Sequence, residues 1–379
     1  MKKVLVLFLL AISSLYLIFS VRTNVFFSQD DFSVLAYFKS HSTIAMIKQF
    51  LLYGDLWGFH KIVGYLNLRF LYSFFGVNPV AYIINNQIIH SANVVLIFLI
   101  LNLLSKDNLK AFFFAIIFNS LYLFYFSNVH EYLVTFLCLL SIYFYLNSRL
   151  RLSLVIFLLA LLTKEIALGL PLILLSINYF RNKKTTSLMP FYILALFYLI
   201  FQLGFIFAKT AGNPDSPYAT TFHLPSLWRN FLFYIPLPWL TVFTATLIFS
   251  ARKRTFLFFI FAILTLAPAL ILKNRHEGYY LYLPLAYLCI FLGLTLPKFS
   301  RTFLIIYVAI FFLFGGRKLL PPIAHQEFTN WQKDSIDNAL ESIAAGKLPD
   351  GEKLERDAKL MIETNTFDLF LPKVPPEVY

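Results

Sequence analysis

The stretch 152–180, LSLVIFLLALLTKEIALGLPLILLSINYF, is mostly apolar, and its charged residues are a lysine–glutamate pair near its middle. A spanning helix needs about 20 residues, so the halves 152–163 and 166–180 are each short for one. They form either a tight hairpin or a re-entrant pair around Lys164 and Glu165. Ionisable residues at membrane depth are costly and indicate a functional site. The alternative is a pair of surface charges that neutralise each other.

The composition of the whole chain has the same character. Of its 379 residues 59% are hydrophobic and 13% are charged, and the mean hydropathy is +0.72. Soluble domains average about 45–50% apolar and about 25% charged residues. These values exclude a soluble enzyme, a disordered chain and a disulfide scaffold, and they predict an all-α polytopic membrane protein. We predict about eleven transmembrane helices, at 4–20, 80–104, 111–126, 132–146, 152–163, 166–180, 190–208, 231–250, 255–272, 281–296 and 302–314.

The net charge of +13 predicts the orientation of the chain. The tail 316–379 is acidic, with eight Lys or Arg and eleven Asp or Glu, so the basic excess belongs to residues 1–315. With the N-terminus in the cytoplasm, fourteen of the twenty-four Lys and Arg of that part fall in very short inner loops, as the positive-inside rule requires. Seven of its eight acids then fall outside. We therefore expect a multi-pass protein of the plasma or inner membrane with an extracytoplasmic tail, and no nucleic-acid partner.

Two outer segments are long enough to carry structure of their own. The first, 21–79, has apolar residues at mixed helical spacing over 32–53 and predicts one or two helices along the membrane interface. The second, 209–230, is rich in Pro, Gly, Asn and Thr and predicts a loop. We expect a transmembrane domain over 1–315 and a small, polar, partly helical extracytoplasmic domain over 316–379.

Two acidic motifs at the outer face are candidate site residues. Asp30 and Asp31 are adjacent, so one carboxylate can point into a cleft as a general base. Alternatively, the two form an N-terminal cap on the helix that follows them. His130 and Glu131 lie between the third and fourth spans, either as a site or as a polar turn between two helices.

Other polar residues stand at or inside later spans. Arg275 and His276 open the tenth span and can bind a phosphate, while the neighbouring Tyr282 is typical of an aromatic belt. Asn86 and His90 are four residues apart and share one helix face, and hydrogen bonds between helices explain them better than a site does. No phosphate loop, HExxH, GxSxG or paired CxxC motif is present, which argues against a nucleotide-driven pump and a metalloprotease. We predict no metal site.

Four stretches, in this order, resemble the GT-C superfamily of membrane glycosyltransferases, which use polyprenyl-phosphate sugar donors. They are similar to its protein O-mannosyltransferase-like and aminoarabinose-transferase-like members. An acidic pair, Asp30 and Asp31, stands early in the first outer loop. GFHK (58–61) and GVNPVAYIINNQIIH (76–90) look like G-x-x-R-P and G-x-N-P-x-x-Y-x-x-x-N-x-x-x-H, with Lys61 in the place of the arginine. LTKEIA (162–167) with LP (170–171) looks like L-x-K-E-x-A and L-P, and Arg275 with YLP (282–284) is similar to R-Y-x-x-P.

The resemblance implies transfer of a sugar from a polyprenyl-phosphate donor to an acceptor hydroxyl at the outer face. Asp30 or Asp31 would accept the hydroxyl proton in an inverting single displacement. Donor phosphate-binding residues would stabilise the leaving group, namely Lys164, Arg275, Lys61 and His276. The remaining candidates are Glu131, His130, Glu165, Asn86, His90 and Tyr282. The lipid-linked sugar is a co-substrate and no cofactor is implied, although a divalent metal bridging Asp30 and the phosphate is compatible with this chemistry.

Two alternatives remain at this point. A lipid or glycolipid transporter, or a non-catalytic assembly protein, predicts paired broken helices in two matched halves, which the sequence does not display. A polysaccharide polymerase or ligase would favour outer loops rich in Arg and His. The sugar, the acceptor (protein, lipid or glycan) and the oligomeric state have no signal in the sequence.

Overall fold

The structure is a computed structural model of the chain. It describes residues 34, 37–38, 41–54, 60–76, 79–120, 129–182, 186–210, 223–234, 260–270 and 278–295. Most of these residues are helical, and none of them lies in a β-strand. The predicted all-α class is therefore confirmed for the described part of the chain.

Eleven described helices follow one another along the chain: α1 (Thr43–Tyr53), α2 (Ile62–Phe75), α3 (Pro79–Ser105), α4 (Asn108–Ser120), α5 (Val129–Leu146), α6 (Leu150–Leu161), α7 (Leu170–Phe180), α8 (Met189–Thr210), α9 (Leu224–Tyr234), α10 (Ala267–Leu270) and α11 (Tyr282–Thr295). Short 3-10 turns precede three of them, namely Glu165–Gly169 before α7, Thr186–Leu188 before α8 and Gly278–Leu281 before α11.

Two of these helices are long and apolar enough to cross a membrane. They are Ala81–Ser105 within α3 and Val129–Leu146, judged by length and composition. A buried core helix of a soluble protein meets the same criteria, so the two helices point to a membrane only weakly. The other apolar helices among the described residues are shorter.

Three helices end in tight turns through residues with left-handed backbone conformation. Lys106 follows α3, Ser148 follows α5 and Asn182 follows α7, with φ values of 56°, 63° and 54°. At Ser148 the turn is a Schellman motif, because the amide of Arg149 donates to the carbonyl of Phe144 and that of Ser148 to Tyr145. Short turns of this kind make consecutive helices antiparallel.

Helices α3 and α11 run parallel in a constant register. The Tyr282 hydroxyl lies 2.5 Å from Nδ1 of His90, and a Cβ added to Gly293 would lie 2.6 Å from Cδ2 of Leu101. The two contacts are eleven residues apart on both helices, which is about three helical turns. One face of α3 therefore lies along α11 for at least this length.

The first outer segment has a small apolar core of its own. Its helix α1 starts at the cap Ser42, whose Oγ accepts from the amide of Ala45 at 3.2 Å. Arg69 of α2 donates to the carbonyl of Phe38, and its Nε donates to Oγ1 of Thr43 at 3.2 Å. The core of this segment is buried and separate from that of the main bundle, and it consists of Val34, Tyr37, Phe38, Met46, Phe50, Ile62, Tyr65, Leu71 and Tyr82.

The sequence predictions and the structure differ in two places. The predicted loop 209–230 is helical from Leu224. Pro225 is compatible with this helix because it lies in the first turn, where a backbone N–H has no partner within the helix. Helix α2 lies in the first outer segment beyond the predicted helical part 32–53. Several predictions lie outside the described residues: the spans 4–20 and 302–314, most of 231–250, the tail 316–379, and the candidates Asp30, Asp31, Arg275 and His276.

Candidate functional site

A buried ion pair joins the first turn of α5 to the break after α6. Nζ of Lys164 donates to Oε1 of Glu131, and the two residues are only 4% and 1% exposed. Helix α6 ends at Leu161, and Lys164 is extended (φ −164°, ψ 145°) before the turn Glu165–Gly169 begins. The break in the apolar run thus directs the lysine toward α5 instead of continuing the helix.

An aromatic ring and two further charges surround this pair. Nζ of Lys164 lies 4.4 Å from the ring centroid of the buried Tyr280, a cation–π contact. The charge of Lys61, at the start of α2, acts on both members of the pair. Burial lowers the pKa of the Lys164 amino group from its ordinary value, and the carboxylates of Glu131 and Glu165 oppose this shift without cancelling it.

His130 connects the ion pair to the first outer segment. Its ring stacks edge-on against Tyr65 with centroids 4.9 Å apart, and it hydrogen bonds to the backbone of Thr163. The space for the ring exists because residue 64 is glycine, since a Cβ there would lie 2.0 Å from Nδ1 of His130. Helix α2 can approach α5 this closely only without a side chain at Gly64.

The five residues 60–64 attach the outer segment to three helices. Nδ1 of the buried His60 lies 3.1 Å from Oε1 of Gln202 on α8. The amide of Val63 donates to the carbonyl of Leu162 at 3.0 Å, where α6 ends. Gly64 completes the attachment against His130 of α5. Lys61 is one of these five residues and is therefore held at the same end of the bundle as the ion pair.

A second polar group lies deeper in the bundle around His90. Its Nε2 lies 3.2 Å from the carbonyl oxygen of Asn119, so this nitrogen donates and Nδ1 accepts from the hydroxyl of Tyr282. Nδ2 of Asn93 donates to the same hydroxyl at 3.3 Å and to the carbonyl of Tyr132 at 3.0 Å. These hydrogen bonds join α3, α4, α5 and α11, as interhelical bonding of His90 predicts.

The structure brings five candidates from the sequence together and leaves three apart. Lys61, His130, Glu131, Lys164 and Glu165 meet at one end of the bundle. His90 and Tyr282 belong to the deeper junction, and Asn86 is buried on α3, one helical turn before His90. Sequence reasoning missed the contributions of Gly64, Gln202 and Tyr280, and their sequence context contains no signal for them.

The site contains charges of both signs. Two lysines, Lys61 and Lys164, stand there together with two glutamates, Glu131 and Glu165. The described residues contain no group of three or more His, Cys, Asp or Glu that could hold a metal ion. Oε2 of Glu131 has no hydrogen-bond partner within the described part of the chain, so it can accept one from a ligand. Comparison with protein-family models, with curated proteins and with solved structures found no match to the chain.

Proposed function

We propose that the chain is a polytopic membrane glycosyltransferase that moves a sugar from a polyprenyl-phosphate donor to an acceptor hydroxyl at the outer face of the membrane. The observation that carries the proposal is the convergence of Lys61, Lys164 and Glu131 from three distant segments on one end of the bundle. Desolvating such groups is expensive, so an apolar protein that retains them has a use for the charge.

The distribution of charge supports an outer location for this site. The ion pair lies where α5 begins and α6 ends. The turns after α3 and α5 lie at the opposite end. Lys106 and Arg149 lie in these turns, and Arg151 follows in the first turn of α6. Positive residues in short loops favour the cytoplasm. An arrangement of about eleven spans with a cytoplasmic N-terminus puts the ion pair outside.

In the proposed reaction the acceptor hydroxyl attacks the anomeric carbon of the donor. Its proton passes to Asp30 or Asp31, and the bond between the anomeric carbon and the phosphate oxygen breaks with its electrons moving to the phosphate. Lys164 and Lys61, with Arg275 and His276, stabilise the charge that develops on the leaving phosphate. The configuration at the anomeric carbon is inverted.

Glu131 has a positioning role in this scheme. Its carboxylate and the ring of Tyr280 hold the ammonium group of Lys164 in one place. A preorganised cation stabilises developing charge without the reorganisation that a mobile lysine would need. The reaction needs no cofactor besides the lipid-linked sugar.

The test uses membranes that contain the full chain and its natural acceptor, supplied with polyprenyl phosphate carrying a radiolabelled sugar. We expect Lys164→Met to slow transfer of label out of the lipid fraction by about 100-fold or more, the usual cost of removing one charge-stabilising donor. Lys110→Met is the matched control, because Lys110 is also buried but lies at the start of α4, at the opposite end. Of Asp30→Asn and Asp31→Asn, one abolishes transfer. Undiminished transfer by Lys164→Met, Asp30→Asn and Asp31→Asn would contradict the proposal.

A lipid or glycolipid transporter is the second candidate, and one observation favours it. The turn Glu165–Gly169 packs against a second helix interruption at Thr265, since a Cβ on Gly169 would lie 2.3 Å from Cγ2 of Thr265. Transporters bind substrates between such discontinuous helices. A transporter would move a labelled lipid-linked sugar across a liposome membrane and leave the sugar–phosphate bond intact, which separates it from the transferase.

A further inference from the structure

Gln87 is a fully buried amide side chain in the apolar helix α3. It is 0% exposed, and within the described part of the chain neither its Oε1 nor its Nε2 has a hydrogen-bond partner. Buried polar groups are almost always hydrogen-bonded, so each exception needs an explanation such as a bound water or a ligand. Gln87 belongs to none of the sequence motifs that point to a site.

The register between α3 and α11 gives the height of Gln87 along the bundle. The contacts of His90 with Tyr282 and of Leu101 with Gly293 have the same spacing of 192 positions. Gln87 lies one turn before His90, within about 60° of it around the helix at 100° per residue. The same spacing sets it level with the turn Gly278–Leu281, whose Tyr280 covers the amino group of Lys164.

The chemistry of an amide selects a particular ligand for this position. Oε1 accepts a hydrogen bond and Nε2 donates two, side by side. A phosphate dianion offers acceptors only, so it would leave Oε1 without a donor. Two neighbouring hydroxyl groups of a sugar ring offer one donor and one acceptor at the spacing of the amide. Oε2 of Glu131, which has no partner within the described part of the chain, is a further acceptor.

We propose that Gln87 binds hydroxyl groups of the sugar in the lipid-linked donor, next to the lysines that bind its phosphate. This inference rests on the proposed function and adds the division of the site into a phosphate half at Lys164 and a sugar half at Gln87. The hydrogen bonds that the amide lacks in the free protein form when the sugar enters.

The first experiment measures binding of two lipids to the full-length protein in nanodiscs. The probes are decaprenyl phosphate and the same lipid bearing glucose, mannose or arabinose. We expect Gln87→Leu to weaken binding of a sugar-bearing lipid about tenfold and to leave binding of bare decaprenyl phosphate unchanged. Lys164→Met weakens both. Asn85→Leu is the matched control, because Asn85 lies on the same helix, faces away and pairs with Asn67 at 3.0 Å.

The outcomes separate this inference from the proposed function. If the parent protein binds neither lipid, both fall. If it binds the sugar-bearing lipid and Gln87→Leu binds it equally well, or loses both lipids alike, only the role of Gln87 is overturned. A second readout is the unfolding temperature without lipid, which Gln87→Leu should raise because it removes an unsatisfied amide. A lowered unfolding temperature would instead identify hydrogen bonds to a buried water and overturn the assignment.

Discussion

Replacing Gly64 by alanine sets two opposed effects against each other. Gly64 lies in the first turn of α2, where alanine is favoured over glycine by about 0.5–1 kcal/mol. The new Cβ, however, would lie 2.0 Å from Nδ1 and 2.4 Å from Cε1 of His130. Overpacking of this kind typically costs about 1–3 kcal/mol. We therefore expect Gly64→Ala to lower the free energy of unfolding by about 1–2 kcal/mol.

The same substitution should stabilise the protein once the ring is gone. In the His130→Ala background the contact is absent, so Gly64→Ala should raise the free energy of unfolding by about 0.5–1 kcal/mol. The measurement is reversible unfolding by SDS in mixed micelles, followed by far-UV circular dichroism, for the parent and the three variants. The interaction energy from this double-mutant cycle should be at least about 1.5 kcal/mol. The same sign of effect in both backgrounds would refute the packing of Gly64 on His130.

Three further predictions use the same unfolding measurement. Glu131→Gln should destabilise the protein by about 3–5 kcal/mol, because it leaves a buried charge without its partner. The double change Glu131→Leu with Lys164→Met removes both charges and should restore most of that loss. No recovery of stability in the double variant would contradict the ion pair. Ser148→Gly should stabilise by about 1 kcal/mol through relief of the left-handed conformation at φ 63°, and a destabilisation would count against that turn. Tyr282→Phe should cost about 1–3 kcal/mol by leaving His90 and its neighbours without the hydroxyl, and a neutral result would argue against the polar junction.

The long apolar helices are the part of the fold that the sequence predicts well. The predicted segments 80–104, 132–146 and 190–208 coincide with helices α3, α5 and α8, whose ends differ from the predictions by a few residues at most, and α3 and α5 are long and apolar enough to cross a membrane. The side chains of an uninterrupted apolar run offer the backbone no hydrogen-bond partner, so in apolar surroundings the backbone satisfies itself as a helix. Helix α2 was harder to find, because its stability comes from the burial of Ile62, Tyr65 and Leu71 in the outer segment.

The site could be predicted as a set of residues but not as a geometry. The break at Lys164 and the polar turn at Glu131 are visible because charges interrupt apolar runs. Their pairing is not visible, since 33 positions separate them and the sequence does not contain the packing of α5 on α6. Tyr280 resembles any interfacial tyrosine, and Gly64 has meaning only through a histidine far along the chain.

The stability of the fold does not by itself explain why an apolar protein contains a buried ion pair. Replacing a buried pair by apolar residues is often neutral or stabilising, so stability does not explain Lys164 and Glu131. The ring of Tyr280 covers the ammonium group of Lys164 on one side, where water would otherwise hydrate it. Glu131 and Tyr280 therefore hold the ammonium group of Lys164 in one place, and the carboxylate of Glu131 offsets its charge. A phosphate group at this end of the bundle would meet Lys61 and Lys164 and would compete with Glu131 for the ammonium group of Lys164.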